Sequence, residues 1–115
     1  MRRVAIAGVG ITPRNRAAMA NADRTSWKRY VADAAYDAMA DASKGLGPKD
    51  IQYIIVNYHG ESSLESGGIG PIGSDGLGRH AVGVTALCAN CVGDRVSAHD
   101  AYGLVASGMY ARVLV

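Results

Sequence analysis

Short apolar runs separated by helical stripes and glycine-rich breaks set the pattern of this chain, and they predict an alternating α/β order. Residues 4–9 form an apolar run closed by Gly8-Val9-Gly10, which predicts a buried strand. Residues 12–24 mix Pro, Asn and Arg without a period and read as an exposed loop. Thr25 or Ser26 can then cap a helix, because a short hydroxyl accepts a hydrogen bond from an unpaired N–H of the first turn. Trp27, Tyr30, Val31, Ala34, Ala35, Ala38 and Ala42 follow at helical spacing, and Gly45, Gly47 and Pro48 stop the run. A second strand is predicted over residues 51–56, and a weaker third over 81–87. Between them lies a glycine-rich stretch in which residues 71–77 can form a short helix ending at Gly78. A second long helix should run from Cys91 or Val92 to Ser107, ended by Gly108, before a fourth strand at 113–115. This order implies a mainly parallel sheet with covering helices. Val96, Ala98, Ala101, Tyr102, Leu104, Val105 and Ala106 put small or apolar groups on most sides of the second helix. Such a helix should be buried on both faces, as in a multilayer protein.

Composition narrows the classes. At 115 residues the chain is one domain or a piece of one, and 49% hydrophobic with 19% charged residues marks an ordered, core-forming chain. The net charge is +2, with no basic clustering beyond Arg2-Arg3 and Lys28-Arg29, so the basic face of a nucleic-acid binder is missing. No run approaches membrane-spanning length, and Gly8, Gly10 and Pro13 interrupt any cleavable apolar leader, giving the expectation of a cytoplasmic protein. Two cysteines in such a chain read as thiols rather than a disulfide framework. The ending Arg112-Val113-Leu114-Val115 reads as a strand still in progress, so the expectation is a portion of a longer chain.

The chemistry concentrates at Cys88-Ala89-Asn90-Cys91, at a predicted strand-to-helix junction. Unpaired N–H groups and the positive end of the helix dipole stabilise an anion there, so a thiol at this place should have a lowered pKa and raised nucleophilicity. The same donors can hold the oxyanion of a tetrahedral intermediate. Arg95 in the first turn would assist, and Asp94 would oppose. The plain alternative is that either cysteine is only a small buried hydrophobe. A structural zinc site is disfavoured because neither a second Cys pair nor a suitable His pair follows. A thioredoxin-like dithiol is the more serious rival, although Cys91 rather than Cys88 lies nearer the helix start.

Other signals are weaker. Gly8-Val9-Gly10 imitates a dinucleotide fingerprint, but Pro13 holds the place of its third glycine. Gly67-Gly68-Ile69-Gly70-Pro71 lacks the Gly-Lys-Ser/Thr ending of a P-loop and reads as a tight turn. His59 and Glu61 directly after the second strand are candidates for shaping a pocket or a subunit contact. His80 reads as a surface residue, and His99 as a mid-helix side chain with a packing or hydrogen-bonding role.

Arg3-Val4-Ala5-Ile6-Ala7-Gly8-Val9-Gly10 resembles the first strand of sterol-carrier-protein-type members of the thiolase superfamily. Ala106-Ser107-Gly108-Met109-Tyr110 followed by Val113-Leu114-Val115 is similar to the segment that closes that family's nucleophile helix. The seventeen-residue step from Cys91 to Gly108 suits the family's nucleophile-to-glycine interval, which selects Cys91 over Cys88. A narrower likeness, to the thiolase-like subunits of bacterial phloroglucinol acetyltransferase complexes, rests on five short motifs. These are Tyr58-His59-Gly60-Glu61, Gly67-Gly68-Ile69-Gly70-Pro71, Ser74-Asp75, Leu77-Gly78 and Ala89-Asn90-Cys91.

The resemblance implies that residues 1–115 form part of a thiolase-like N-terminal domain with a buried nucleophile helix. It implies an acyltransferase in which Cys91 carries an acetyl group as a thioester to a carbon nucleophile such as an electron-rich aromatic ring. Asn90 would join His59 and Glu61 beside the substrate. No permanently bound cofactor or metal is implied, and a coenzyme A thioester is a possible acyl donor. The implied partners are further thiolase-like subunits, as a homo- or hetero-oligomer, and a small zinc-containing OB-fold subunit. Val92, Gly93 and Asp94 stand where thiolases usually carry a small residue, Ser and Gly, which weighs against ordinary thiolysis. Two alternatives accompany this reading: a coenzyme A-dependent acetyl-CoA acetyltransferase, and a truncated noncatalytic interaction subunit.

Overall fold

The computed structural model describes residues 1–12, 27–58 and 74–115. Two compact units divide the chain, one formed by Met1–Ala5 with Pro48–Val115 and the other by Ile6–Gly47.

The larger unit is a small α/β structure. Its strands are β1 (Tyr53–Asn57), β2 (Gly83–Leu87) and β3 (Val113–Leu114), in the order β2-β1-β3 with both pairings parallel. Tyr53 pairs with Gly83 on one side and Val113 on the other, and Asn57 ends opposite Leu87. The Tyr58 N–H continues the ladder by donating to the Leu87 carbonyl at 3.0 Å. Ile54 and Ile55 on the central strand are each 2% exposed, as a strand flanked on both sides requires. Ile51, Leu77 and Ala106 complete the buried apolar set among the described residues of this unit.

The long helix connecting β2 to β3, α2 (Gly93–Ala106), follows a single 3₁₀ turn at Asn90–Val92. It ends where the sequence places its stop. Gly108 takes φ 84°, its N–H donates to the Val105 carbonyl, and the Tyr110 N–H reaches the Leu104 carbonyl. Residues 74–76 are helical and close at Gly78, whose N–H donates to Asp75, in agreement with the end of the predicted short helix; residues 71–73 lie outside the described residues.

The smaller unit holds α1 (Trp27–Asp41). Gly45 at φ 59° terminates it, with its N–H on the Ala42 carbonyl and the Leu46 N–H on the Met39 carbonyl. The proposed caps Thr25 and Ser26 lie outside the described residues. Ala35 and Met39 on the helix and Ala42 directly after it form its buried side, spaced i, i+4, i+7. Met39, outside the stripe read from the sequence, is the large buried side chain among the described residues of this helix, while Val31 stands partly exposed.

Two expectations are corrected. Residues 4–9 form no strand; β1 pairs directly with β3, and Ile6 and Val9 are exposed. In the smaller unit, Gly8 and Gly10 instead lie flat against α1. A β-carbon at Gly8 would strike the Ala38 carbonyl, and one at Gly10 the Ala34 carbonyl, while the Val9 N–H donates to the Asp41 carboxylate. The glycines serve close approach to a helix rather than the closing of a strand. The second correction concerns α2, which is not buried all round among the described residues. Gly93, Ser97 and Ala106 are buried, but Val96 and Tyr102 are 38% and 49% exposed. Alanine and glycine are compatible with burial but do not compel it, because they carry little apolar area.

Candidate active site

The loop from β2 into α2 lies at the carboxyl ends of β1 and β2, the end of a parallel sheet where ligands of open α/β folds bind. Cys88 follows β2 directly, and Cys91 sits inside the 3₁₀ turn that the Val92 N–H closes on the Ala89 carbonyl at 3.2 Å. Both cysteines are exposed and neither is in a disulfide. The backbone of Asn90 occupies the first position of the same turn. Cys91 thus stands two residues ahead of α2, close to the junction that the sequence predicts.

Three interactions fix the helix start. The Asn57 side chain at the end of β1 lies against Gly93, where a β-carbon would overlap its amide. The Ser97 hydroxyl, 1% exposed, donates to the Gly93 carbonyl at 2.6 Å and to the Asp94 carbonyl at 3.2 Å, tying the first turn to the second. The Asp94 carboxylate accepts the Arg95 N–H at 2.8 Å. Val92, at the cap position with φ −109° and ψ 3°, offers no side-chain cap, so Asp94 satisfies part of the first turn from within. The chain's own carboxylate competes for the donors an incoming anion would use. Asn57 is a site residue that sequence reasoning missed; its signal is a polar residue ending an otherwise apolar strand.

The remaining sequence candidates are dispersed. His59 and Glu61 lie outside the described residues. His80 is a surface side chain with Nδ1 3.5 Å from the Asp75 carboxylate. His99 is 87% exposed with Nδ1 3.8 Å from the Asp100 carboxylate, so of the packing or polar role expected for it, interior packing is not the one it takes. His99 follows Cys91 by eight residues, about 12 Å along a helix axis, so it does not reach the thiol as a base.

A cleft of about 330 Å³ opens between the sheet and the middle of α2. Tyr53, Ile55 and Thr85 line it from the strands, and His99, Gly103 and Leu104 from the helix. The Tyr53 and Thr85 hydroxyls are 2.7 Å apart and hydrogen-bonded, and the Tyr53 ring lies 4.7 Å from that of Tyr110. Cys91 is not among its lining residues, so cleft and thiol are separate features. Among the described residues no group of three His, Cys, Asp or Glu side chains is placed to hold a metal ion, and no helix is long and apolar enough to cross a membrane.

No family model matches the chain, and no curated protein matches it.

Proposed function

We propose that this chain supplies the nucleophile segment of a thiolase-type acyltransferase, with Cys91 as the acyl carrier. The observation that supports it most is the exposed Cys91 in the turn between the end of a parallel strand and the start of α2. In the reaction, the Cys91 sulfur attacks the carbonyl carbon of a thioester donor, such as a coenzyme A thioester. The N–H groups at the helix start hold the oxyanion, and the intermediate collapses by breaking the carbon–sulfur bond to the leaving thiolate. An electron-rich carbon then attacks the Cys91 thioester, a carbon–carbon bond forms, and Cys91 leaves as thiolate. The base that deprotonates Cys91 and the acceptor is a histidine supplied from elsewhere, not His59.

In this reading the finer fold is that of a thiolase N-terminal domain. The partners are thiolase-like subunits and a small zinc-containing OB-fold subunit, and the setting is the cytoplasm. Asn90, His59 and Glu61 shape the acceptor side. A coenzyme A-dependent acetyltransferase shares the first half-reaction and differs only in the acceptor. The noncatalytic reading draws on a separate observation: Val92, Val96 and Tyr102 leave apolar surface exposed on and beside α2. The test is incubation with an acetyl thioester followed by peptide mass spectrometry. An acetyl group on Cys91, retained in Cys88→Ser and lost in Cys91→Ser, supports acyl transfer; folded, unlabelled protein supports the noncatalytic reading.

A further inference from the structure

We propose that Cys88 and Cys91 form a reversible disulfide that withdraws Cys91 from acyl transfer, an inference that rests on the acyl-carrier reading of Cys91. Both thiols are exposed on the same short loop, one directly after β2 and the other in the 3₁₀ turn before α2. Three residue steps keep their α-carbons within about 11 Å even in an extended chain. A disulfide needs a separation of about 4.4–6.8 Å, so closing the ring asks for a local adjustment of Ala89 and Asn90, including the turn that the Val92 N–H closes on the Ala89 carbonyl. The anchors of the helix start, Ser97 on Gly93 and Asp94 on Arg95, lie downstream of Cys91. The ring therefore closes without breaking them.

The oxidant is a low-molecular-weight disulfide. One cysteine thiolate attacks it, forming a mixed disulfide and releasing one small thiolate. The second cysteine thiolate then attacks the protein-side sulfur and releases the other. Each cysteine sulfur is oxidised by one electron, the small disulfide gains two electrons, and two protons leave the protein thiols. With its sulfur in the ring, Cys91 has no lone thiolate to offer an acyl donor. Reduction restores it.

The experiment equilibrates the full chain in glutathione disulfide and glutathione mixtures, quenches with an alkylating reagent, and reads intact mass, with parallel samples offered an acetyl thioester. The expected result is loss of two hydrogen atoms with no alkylation, loss of acetyl uptake in that state, and recovery of both on adding a dithiol reductant. Cys88→Ser should take acetyl normally when reduced and, when oxidised, carry glutathione instead of an internal ring. Glutathione adducts on the wild-type chain in place of a ring would overturn this inference while leaving acetylation of the reduced protein, and the acyl reading, standing. A ring that forms in a protein whose reduced state takes no acetyl would overturn the gating together with the reading beneath it.

Discussion

The side-chain amide of Asn57, at the end of β1, fills the space where Gly93, the first residue of α2, would carry a β-carbon. This contact sets the helix start, and with it the turn bearing Cys91, against the carboxyl end of the central strand. Gly93→Ala should therefore destabilise by about 1 kcal/mol, because an exposed amide must swing aside rather than a backbone segment. In an Asn57→Ala background the same change should become neutral or stabilising, since alanine favours a helix over glycine by about 1 kcal/mol. Urea unfolding of the wild type and the three variants checks this; equal effects of Gly93→Ala in both backgrounds would show that the contact does not matter.

Gly8 and Gly10 present the harder case. Here the obstacle is the α1 backbone at Ala38 and Ala34, which cannot rotate away. Either glycine to alanine should cost about 1–3 kcal/mol through forced backbone separation. Amide hydrogen exchange of α1 should report the loss, with protection falling across residues 34–42 and little change within β1.

Gly45 and Gly108 end the two helices with positive φ, but their surroundings differ. A β-carbon on Gly45 would meet nothing within 4 Å, so Gly45→Ala should cost only the left-handed backbone penalty, about 1–2 kcal/mol. At Gly108 the Arg2 guanidinium is 3.1 Å from that position, so Gly108→Ala should cost somewhat more and should disturb Arg2 as well. Asparagine at either site should be the mildest replacement. Thermal denaturation ranks the four variants.

Asp94 gives a prediction about reactivity. Its carboxylate occupies the Arg95 N–H and adds negative charge to the first turn of α2. Asp94→Ala should free a donor and remove the opposing charge, raising the rate of Cys91 alkylation about 2- to 5-fold at low ionic strength, with the gain shrinking in salt. Iodoacetamide labelling followed by peptide mapping measures it, and an unchanged or slower rate would remove the helix start from the account of Cys91.

Much of this arrangement is legible in the chain. The β1 and β2 runs, the glycine that ends α2 and the strand-to-helix position of Cys91 follow from apolar runs and from glycine at the helix end. These are local signals, and neighbouring segments do not alter them. The first apolar run is different: Gly8-Val9-Gly10 reads as a strand closing, yet its glycines lie on α1, a contact more than twenty residues away in sequence. Small residues permit burial without compelling it, so the composition of α2 overstates how much of it is covered. Asn57 escapes notice because its role comes from the parallel register that brings the end of β1 beside the start of α2.

The central claim is that Cys91 carries an acyl group, and the most direct measurement is site-resolved mass spectrometry after brief exposure to an acetyl thioester. The expected result is one acetyl group, on Cys91, labile to hydroxylamine as a thioester is, unaffected by Cys88→Ser and absent in Cys91→Ser. Acetyl found on Cys88, or none on a chain shown to be folded and reduced, would contradict it.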